Sequence, residues 1–285
     1  MHLSDLNNPE ILLPKNADKI PIKSITSDSR KLTKDCMFVA IKGYEKDGHA
    51  FIDEAISGGA SNILVDYNYK VTKQLPLSKS KNVRKALALV ASIYFNKQPN
   101  IIAAVTGTNG KTSVCTFLKQ IWDLNNFKSA SLGTLGLNAS KEVKYKEIQN
   151  ENLTTLDPLK LHECISQIKQ SGVDRLALEA SSHGLEQHRL DGVKVSLACF
   201  TNLSHDHIDF HKSLNNYKKQ KFRLFTEILQ DSGTAVINID DVNSKELLNK
   251  IQSRNINIIT FGKSSNANWN LSLIHISEPT RRRGI

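Results

Sequence analysis

Two hydrophobic rhythms take turns along this chain. Short apolar or alternating runs at 22–26, 37–41, 62–66, 101–106, 175–179, 195–200, 234–239 and 257–261 predict strands. Between them apolar residues recur every three or four positions, which predicts helices. Residues 51–57 form one, closed by Gly58-Gly59. Residues 82–95 form another, with Val83, Ala86, Leu87, Val90, Ile93 and Tyr94 on one face. Further stripes cover 113–124 (Val114, Phe117, Leu118, Ile121 and Leu124), 214–229 and 244–252. Asp157-Pro158 starts one more helix, with Asp as cap and Pro in the first turn, and it runs to Ser171 before Gly172. Strand and helix in alternation predict the α/β class, with a mostly parallel sheet covered on both faces. The nearly all-apolar run 195–200 belongs in the interior of that sheet.

The polar, proline-containing Asn96-Lys97-Gln98-Pro99-Asn100 divides a small N-terminal α/β domain, 1–97, from a second domain, 98–271. Periodicity is lost after Leu271, and 272–285 reads as a non-native tail of translated adapter or vector sequence. With 39% hydrophobic and 23% charged residues, the 285-residue chain has the composition of soluble globular domains. It contains no apolar run near the ~20 residues of a membrane span, and its start lacks the form of a secretory signal. Cysteines 36, 115, 164 and 199 lie too far apart for a metal-ligand spacing, so reduced thiols in a cytoplasmic protein are expected. The formal charge of +10 raises a nucleic-acid partner, but the lysines are spread over the whole chain and only 6% of residues are aromatic. No stretch interleaves the two as single-strand binders do, so no nucleic-acid partner is expected.

The most informative stretch is Gly107-Thr108-Asn109-Gly110-Lys111-Thr112, set between the apolar run 101–106 and the helical stripe that follows. Strand, glycine turn and helix start form the setting in which backbone amides cradle a polyphosphate. In it Lys111 would sit on the terminal phosphates and the Thr112 hydroxyl on Mg²⁺. The strict motif has a glycine six residues before the lysine, where this chain has Val105. The second domain is thus expected to be a mostly parallel-sheet, P-loop-type ATPase domain.

Four more clusters fall where strands end, the edge at which open α/β sheets place ligands. They are Asn152-Leu153-Thr154-Thr155, the stretch from Glu179 to Arg189, the stretch from Thr201 to His211, and the basic run from Tyr217 to Phe225. Glu179 at a strand end suits Mg²⁺, which takes hard oxygen ligands. Ser181, Ser182 and His183 lack the Gly-x-Ser-x-Gly elbow of a hydrolase. His205, His207 and His211 lack the His-Glu-x-x-His spacing of a zinc site. The run around Lys221 reads by itself as a solvated basic helix face.

Taken in order, these segments resemble the Mur ligase family. So do Asp28-Ser29-Arg30, Phe38-Val39-Ala40-Ile41-Lys42-Gly43 and Asp47-Gly48, and the resemblance covers about residues 20 to 271. It implies ATP bound at Gly107, Thr108, Asn109, Gly110, Lys111 and Thr112. It also implies Mg²⁺ held by Thr112, Glu179, His207 and Lys221, the last falling where the family carries a carbamoylated lysine. Lys111, Glu179, His207 and Lys221 would form the catalytic set. Ser29, Arg30, Tyr44 and Glu45 would hold a uridine diphosphate end, and Thr154, Thr155, Ser181, Gln187 and Arg189 the muramoyl dipeptide and its phosphates.

The implied activity is ATP-dependent amide ligation in peptidoglycan precursor synthesis. A diamino acid, meso-diaminopimelate or lysine, is added to a UDP-N-acetylmuramoyl dipeptide through an acyl phosphate, by a monomer. The family's third domain would begin near residue 271, so the resemblance implies a fragment inactive by itself. Two alternatives remain at this point. A folylpolyglutamate synthetase shares the phosphate loop but lacks the N-terminal uridine-nucleotide unit; the other alternative is a non-catalytic nucleotide-binding module.

Overall fold

Ser24–Thr26 (β1) and Cys36–Val39 (β2) begin a four-stranded parallel sheet in the computed structural model, which describes residues 1–43, 46–70, 76–140, 153–204 and 208–271. Ala60–Asp66 (β3) and Leu77–Ser80 (β4) complete it in the order β1-β2-β3-β4. Successive strand residues point to opposite faces, and each face takes one helix. Phe38, Ala40, Ile63 and Val65 meet Ile52 and Ala55 of Ile52–Ser57 (α1). Met37, Val39 and Leu64 meet Ala86, Leu87 and Val90 of Val83–Phe95 (α2). The polar run Leu-Ser-Lys-Ser of β4 gives no apolar signal. It pairs with β3 all the same, because Ser78 is buried with its hydroxyl on Asn62 Oδ1 at 2.9 Å.

The second sheet has eight strands among the described residues, in the order β12-β11-β10-β9-β5-β8-β6-β7. Ile101–Thr106 (β5) lies near its middle, between Arg175–Glu179 (β8) and Val195–Phe200 (β9), so the run expected in the interior is there. Every pairing is parallel except the hairpin of Ser129–Gly133 (β6) and Gly136–Ala139 (β7), which periodicity does not predict. Leu229–Asn238 (β10), Asn257–Gly262 (β11) and Trp269–Asn270 (β12) extend the other edge.

Lys111–Leu124 (α3) covers Ala103, Val105 and Ala177 on one face. On the other, Pro158–Gln170 (α4) packs Leu161, Ile165 and Ile168 against Ile102, Ala104 and Leu176. Asp157 caps α4, accepting from Leu159 N and Lys160 N, and α4 also packs on α2 of the first sheet.

Ser182–Glu186 (α5), Ile208–His211 (α6), Leu214–Arg223 (α7) and Ser244–Ile251 (α8) complete the helices. The helix expected over 214–229 is shorter. After Arg223 the chain widens into a π-turn over Leu224–Ile228, and Leu229 already belongs to β10. Leu224, Phe225 and Ile228 are buried in that turn and continue the apolar rhythm of a helix, which is why the sequence pattern ran on. No helix among the described residues is long and apolar enough to cross a membrane.

Candidate active site

The phosphate-loop candidate connects β5 to α3 at the centre of the larger sheet. A side chain at Gly107 would collide with Thr201, since a Cβ there would stand 1.8 Å from Thr201 Oγ1. Gly110 has open space but lies in the left-handed region at φ 86, a conformation glycine adopts at no steric cost. Val105, which stands where the strict motif has glycine, is buried inside β5 and paired to both β8 and β9. The strand therefore runs further and the turn is made by the later glycines.

The end of β9 braces the loop. Thr108 N donates to Asn202 O at 2.9 Å, Asn109 N to Asn202 Oδ1 at 3.0 Å, and Thr201 Oγ1 to Asn109 O at 2.7 Å. Lys111 Nζ donates to Gly107 O and Thr108 O, each at 2.9 Å, which sets the ammonium over the loop.

Beside the loop stands Glu179 at the end of β8, only 2% exposed. Its oxygens accept from Thr112 Oγ1 at 2.9 Å, Thr134 N at 2.9 Å and Thr134 Oγ1 at 3.2 Å, all neutral donors. Gly133 gives the carboxylate its room, because a Cβ there would stand 2.1 Å from Glu179 Oε1. Gly133 and Thr134 are site residues that motif reading missed. Their one signal is a pair of glycines, 133 and 136, bracketing two residues, the spacing of a tight hairpin turn. Buried Cys115 on α3 lies near this carboxylate, and burial, then the negative charge of Glu179, push its thiol well above the usual range. Burial alone pushes Cys199 on β9 up to about 12.

Lys221 is not the solvated lysine that its basic run suggests. It is 1% exposed, donates from Nζ to Gly107 O at 2.7 Å and lies 4.5 Å from the centre of the Tyr217 ring, one helical turn earlier. Tyr217 in turn bonds Thr108 Oγ1 through its hydroxyl at 3.1 Å. Helix α7 is thus fastened to the phosphate loop by both side chains.

A cleft of about 290 Å³ opens here, and its walls bring together Lys111, Thr154, Thr155, Ser181, Arg189 and Lys221. Thr155 Oγ1 donates to Glu179 O and bonds Ser181 Oγ, both at 3.0 Å, while Ser181 caps α5 by accepting from Gly184 N. Arg189 donates to Thr155 O at 2.5 Å and to Gln187 Oε1 at 2.8 Å.

Arg189 also faces a second cleft, of about 180 Å³, with Gln187 and with Ser27, Ile41 and Arg84 of the smaller sheet's unit. Ser29 and Arg30 line neither cleft. They form a short 3-10 turn capped by Asp28, two residues beyond Ser27. The Arg30 side chain is 86% exposed and forks onto Asp28, whose carboxyl that hydrogen bond lowers to about 2. The expectations for Tyr44, Glu45, His207 and the tail 272–285 lie outside the described residues.

Comparison with known proteins agrees with this architecture. A family model described as the Mur ligase middle domain matches residues 105–282, and one described as the Mur ligase family catalytic domain matches residues 21–113. The UDP-N-acetylmuramoyl-L-alanyl-D-glutamate--2,6-diaminopimelate ligase of Bradyrhizobium diazoefficiens is 41% identical over 264 residues, which are 93% of this chain and 53% of the relative. The ligase of that name from Caulobacter vibrioides is 41% identical over 239 residues, 84% of this chain and 48% of the relative. A solved structure of a ligase so named superposes with a TM-score of 0.78 at 28% identity, covering 94% of this chain and 53% of the other. The chain spans about half the length of the curated relatives it matches. Matched by one family model over its first part and by the other over the larger part, the chain belongs to the Mur ligase family.

Proposed function

We propose that this chain carries the nucleotide- and substrate-binding part of an ATP-dependent amide ligase that adds a diamino acid to UDP-N-acetylmuramoyl-L-alanyl-D-glutamate. The relatives' names supply 2,6-diaminopimelate as the amino acid. The observation that carries the reading is the shared cleft: the phosphate-loop lysine opens onto the same space as Thr154, Thr155, Ser181 and Arg189. A polyphosphate and a carboxylate substrate can meet there. In this reading 98–271 is the ATP-binding unit. Residues 1–97 form the unit for the uridine end, with Ser29, Arg30, Tyr44 and Glu45 as its contacts.

The reaction needs an activated carboxylate, and transfer of the ATP γ-phosphoryl supplies it as an acyl phosphate, which the incoming amine then attacks as phosphate leaves. Within that chemistry the protein positions groups and balances charge. Gly107, Thr108, Asn109 and Gly110 shape the loop, and the Lys111 ammonium with the amides at the start of α3 holds the phosphates. Ser181, Thr154, Thr155, Gln187 and Arg189 orient the muramoyl peptide and its phosphates.

Mg²⁺ fits the donor set on this structure's own terms. A buried carboxylate bonded by neutral donors lacks a countercharge in that set, and Glu179 and the Thr112 hydroxyl are the hard oxygens this ion takes. His207 joins them in this proposal. Lys221, buried beside the loop, would join as a carbamate, formed when its deprotonated amine adds CO₂ and releases a proton, which replaces a cation by anionic oxygens. Bound there, Mg²⁺ would neutralise charge on the transferring phosphoryl group. The test is ligation by a protein extended to the relatives' full length, given ATP, Mg²⁺, the muramoyl dipeptide and diaminopimelate. Tripeptide product should form in the wild type and not in Lys221→Ala. No product from the wild type, or full activity in the variant, contradicts the reading.

A further inference from the structure

Between Gln187 and Arg189, which both face the second cleft, stands His188, a side chain outside the ligand-facing set described above. Its backbone position is unusual. Helix α5 closes with Arg189 N donating to Gly184 O at 2.8 Å and His188 N to Leu185 O at 3.2 Å, the paired bonds of a Schellman cap. The residue at this place in such a cap is ordinarily glycine, because the backbone is left-handed; here it is a histidine at φ 58. Its ring has work that a glycine could not do.

On one side, His188 Nε2 lies 2.9 Å from Asn82 Nδ2, which belongs to the smaller sheet's unit. Asn82 caps α2, and its Oδ1 already accepts from Lys85 N at 3.1 Å. The amide group facing His188 is therefore the donor, Nε2 accepts, and the neutral ring carries its proton on Nδ1. On the other side, that buried Nδ1 faces Asp191 Oδ2 at 3.4 Å, a close approach without hydrogen-bond geometry. Asp191 is buried and gripped by Arg223 Nη2 at 2.5 and 2.7 Å, and Arg223 Nη1 donates to Leu185 O at 2.6 Å. Arg223 sits on α7, two residues beyond Lys221. The imidazole thus bonds Asn82 at the start of α2 and stands beside the Asp191 carboxylate that Arg223 of α7 holds.

We propose that His188 is a positioning residue: by bonding Asn82 of the first unit while standing beside the Asp191–Arg223 pair of the second, it holds Gln187 and Arg189 facing the inter-unit cleft in the attitude that receives the phosphate-bearing end of the substrate. This rests on the function proposed above. It explains why a histidine stands where the backbone favours glycine, and why the second cleft has walls from both units.

Two substitutions test it. His188→Gly removes the ring and suits the left-handed backbone, so the cap is kept. Asn82→Ser keeps an oxygen to cap α2 and removes the amide that reaches His188. Binding of UDP-N-acetylmuramoyl-L-alanyl-D-glutamate and, separately, of ADP with Mg²⁺ is measured by calorimetry on the chain and its variants. Each single variant should bind the muramoyl ligand about tenfold more weakly, the loss expected for one well-placed hydrogen bond. The double variant should be no weaker than the weaker single one, and ADP affinity should be unchanged in all. Should His188→Gly fail to bind ADP, Asn82→Ser decides. Wild-type affinity for the muramoyl ligand in either ADP-binding variant overturns the inference alone, as do losses that multiply in the double variant. A wild-type chain that binds ADP but no muramoyl ligand overturns the proposed function and this inference with it.

Discussion

Replacing Gly133 by alanine adds one methyl group, and its consequences follow from where that group would lie. Gly133 does not have a positive φ, so alanine brings no backbone strain, and the whole effect is steric. The new Cβ would stand 2.1 Å from Glu179 Oε1 and 2.4 Å from both Cδ and Cγ, well inside ordinary contact. Glu179 must swing away, and it then loses the bonds from Thr112 Oγ1, Thr134 N and Thr134 Oγ1. Each hydrogen bond to a charged group contributes about 1.5–3 kcal/mol net, and water recovers part of the loss for a displaced carboxylate. A destabilisation of about 3 kcal/mol is expected, read by urea unfolding.

Function should suffer more specifically, with Mg²⁺ no longer tightening ATP binding measured by calorimetry. The control is a double-mutant cycle. With Glu179 already replaced by alanine, the added methyl has no carboxylate to meet, so Gly133→Ala should cost little in that background. Full wild-type stability and Mg²⁺ dependence in Gly133→Ala, or equal costs in both backgrounds, would refute the reasoning.

Lys111→Ala should weaken ATP and ADP binding at least tenfold by calorimetry, while urea unfolding shifts by no more than about 0.5 kcal/mol, because a half-exposed side chain at the first residue of α3 supports little packing. Burial lowers His162 from the ordinary 6.5 to about 4, against the Asp191 carbonyl that its Nε2 bonds at 3.0 Å and that favours the charged form. Since the folded value is the lower one, the unfolded chain takes up the proton first as pH falls. Stability present above pH 6.5 should therefore be lost between about pH 6.5 and 4, by about 3 kcal/mol. His162→Gln, which cannot titrate, should flatten unfolding free energy across that window, and an unchanged pH profile would contradict the assignment.

Much of the larger sheet was legible because its strands are buried on both faces and read as apolar runs, as in 101–106 and 195–200. The phosphate loop was legible because its glycines have separate physical reasons, a close approach at 107 and a left-handed turn at 110. What escaped was polar. The strand Leu77–Ser80 and the hairpin beginning at Ser129 bury serines (78, 80, 129 and 131) beside a few apolar residues such as Ala130 and Leu132, so their apolar signal is weak. With the hairpin went Gly133 and Thr134, which shape the Glu179 site from a part of the chain 45 residues away from that carboxylate.

Lys221 is the sharper case. Its i−4 spacing to Tyr217 was visible, but only the fold shows that both side chains reach Gly107 and Thr108, so that a basic helix face becomes an interior contact. His188 escaped because Asn82, the residue its ring bonds, is 106 positions away in sequence.

Titration of the chain with UDP-N-acetylmuramoyl-L-alanyl-D-glutamate in a calorimeter bears most directly on the claim that these two units form the substrate-binding part of a cell-wall precursor ligase. The structure predicts binding at a single site, weakened by Arg189→Ala, because Arg189 lines both clefts. A chain that binds ADP with Mg²⁺, and is therefore folded, yet shows no heat with the muramoyl ligand would contradict the claim.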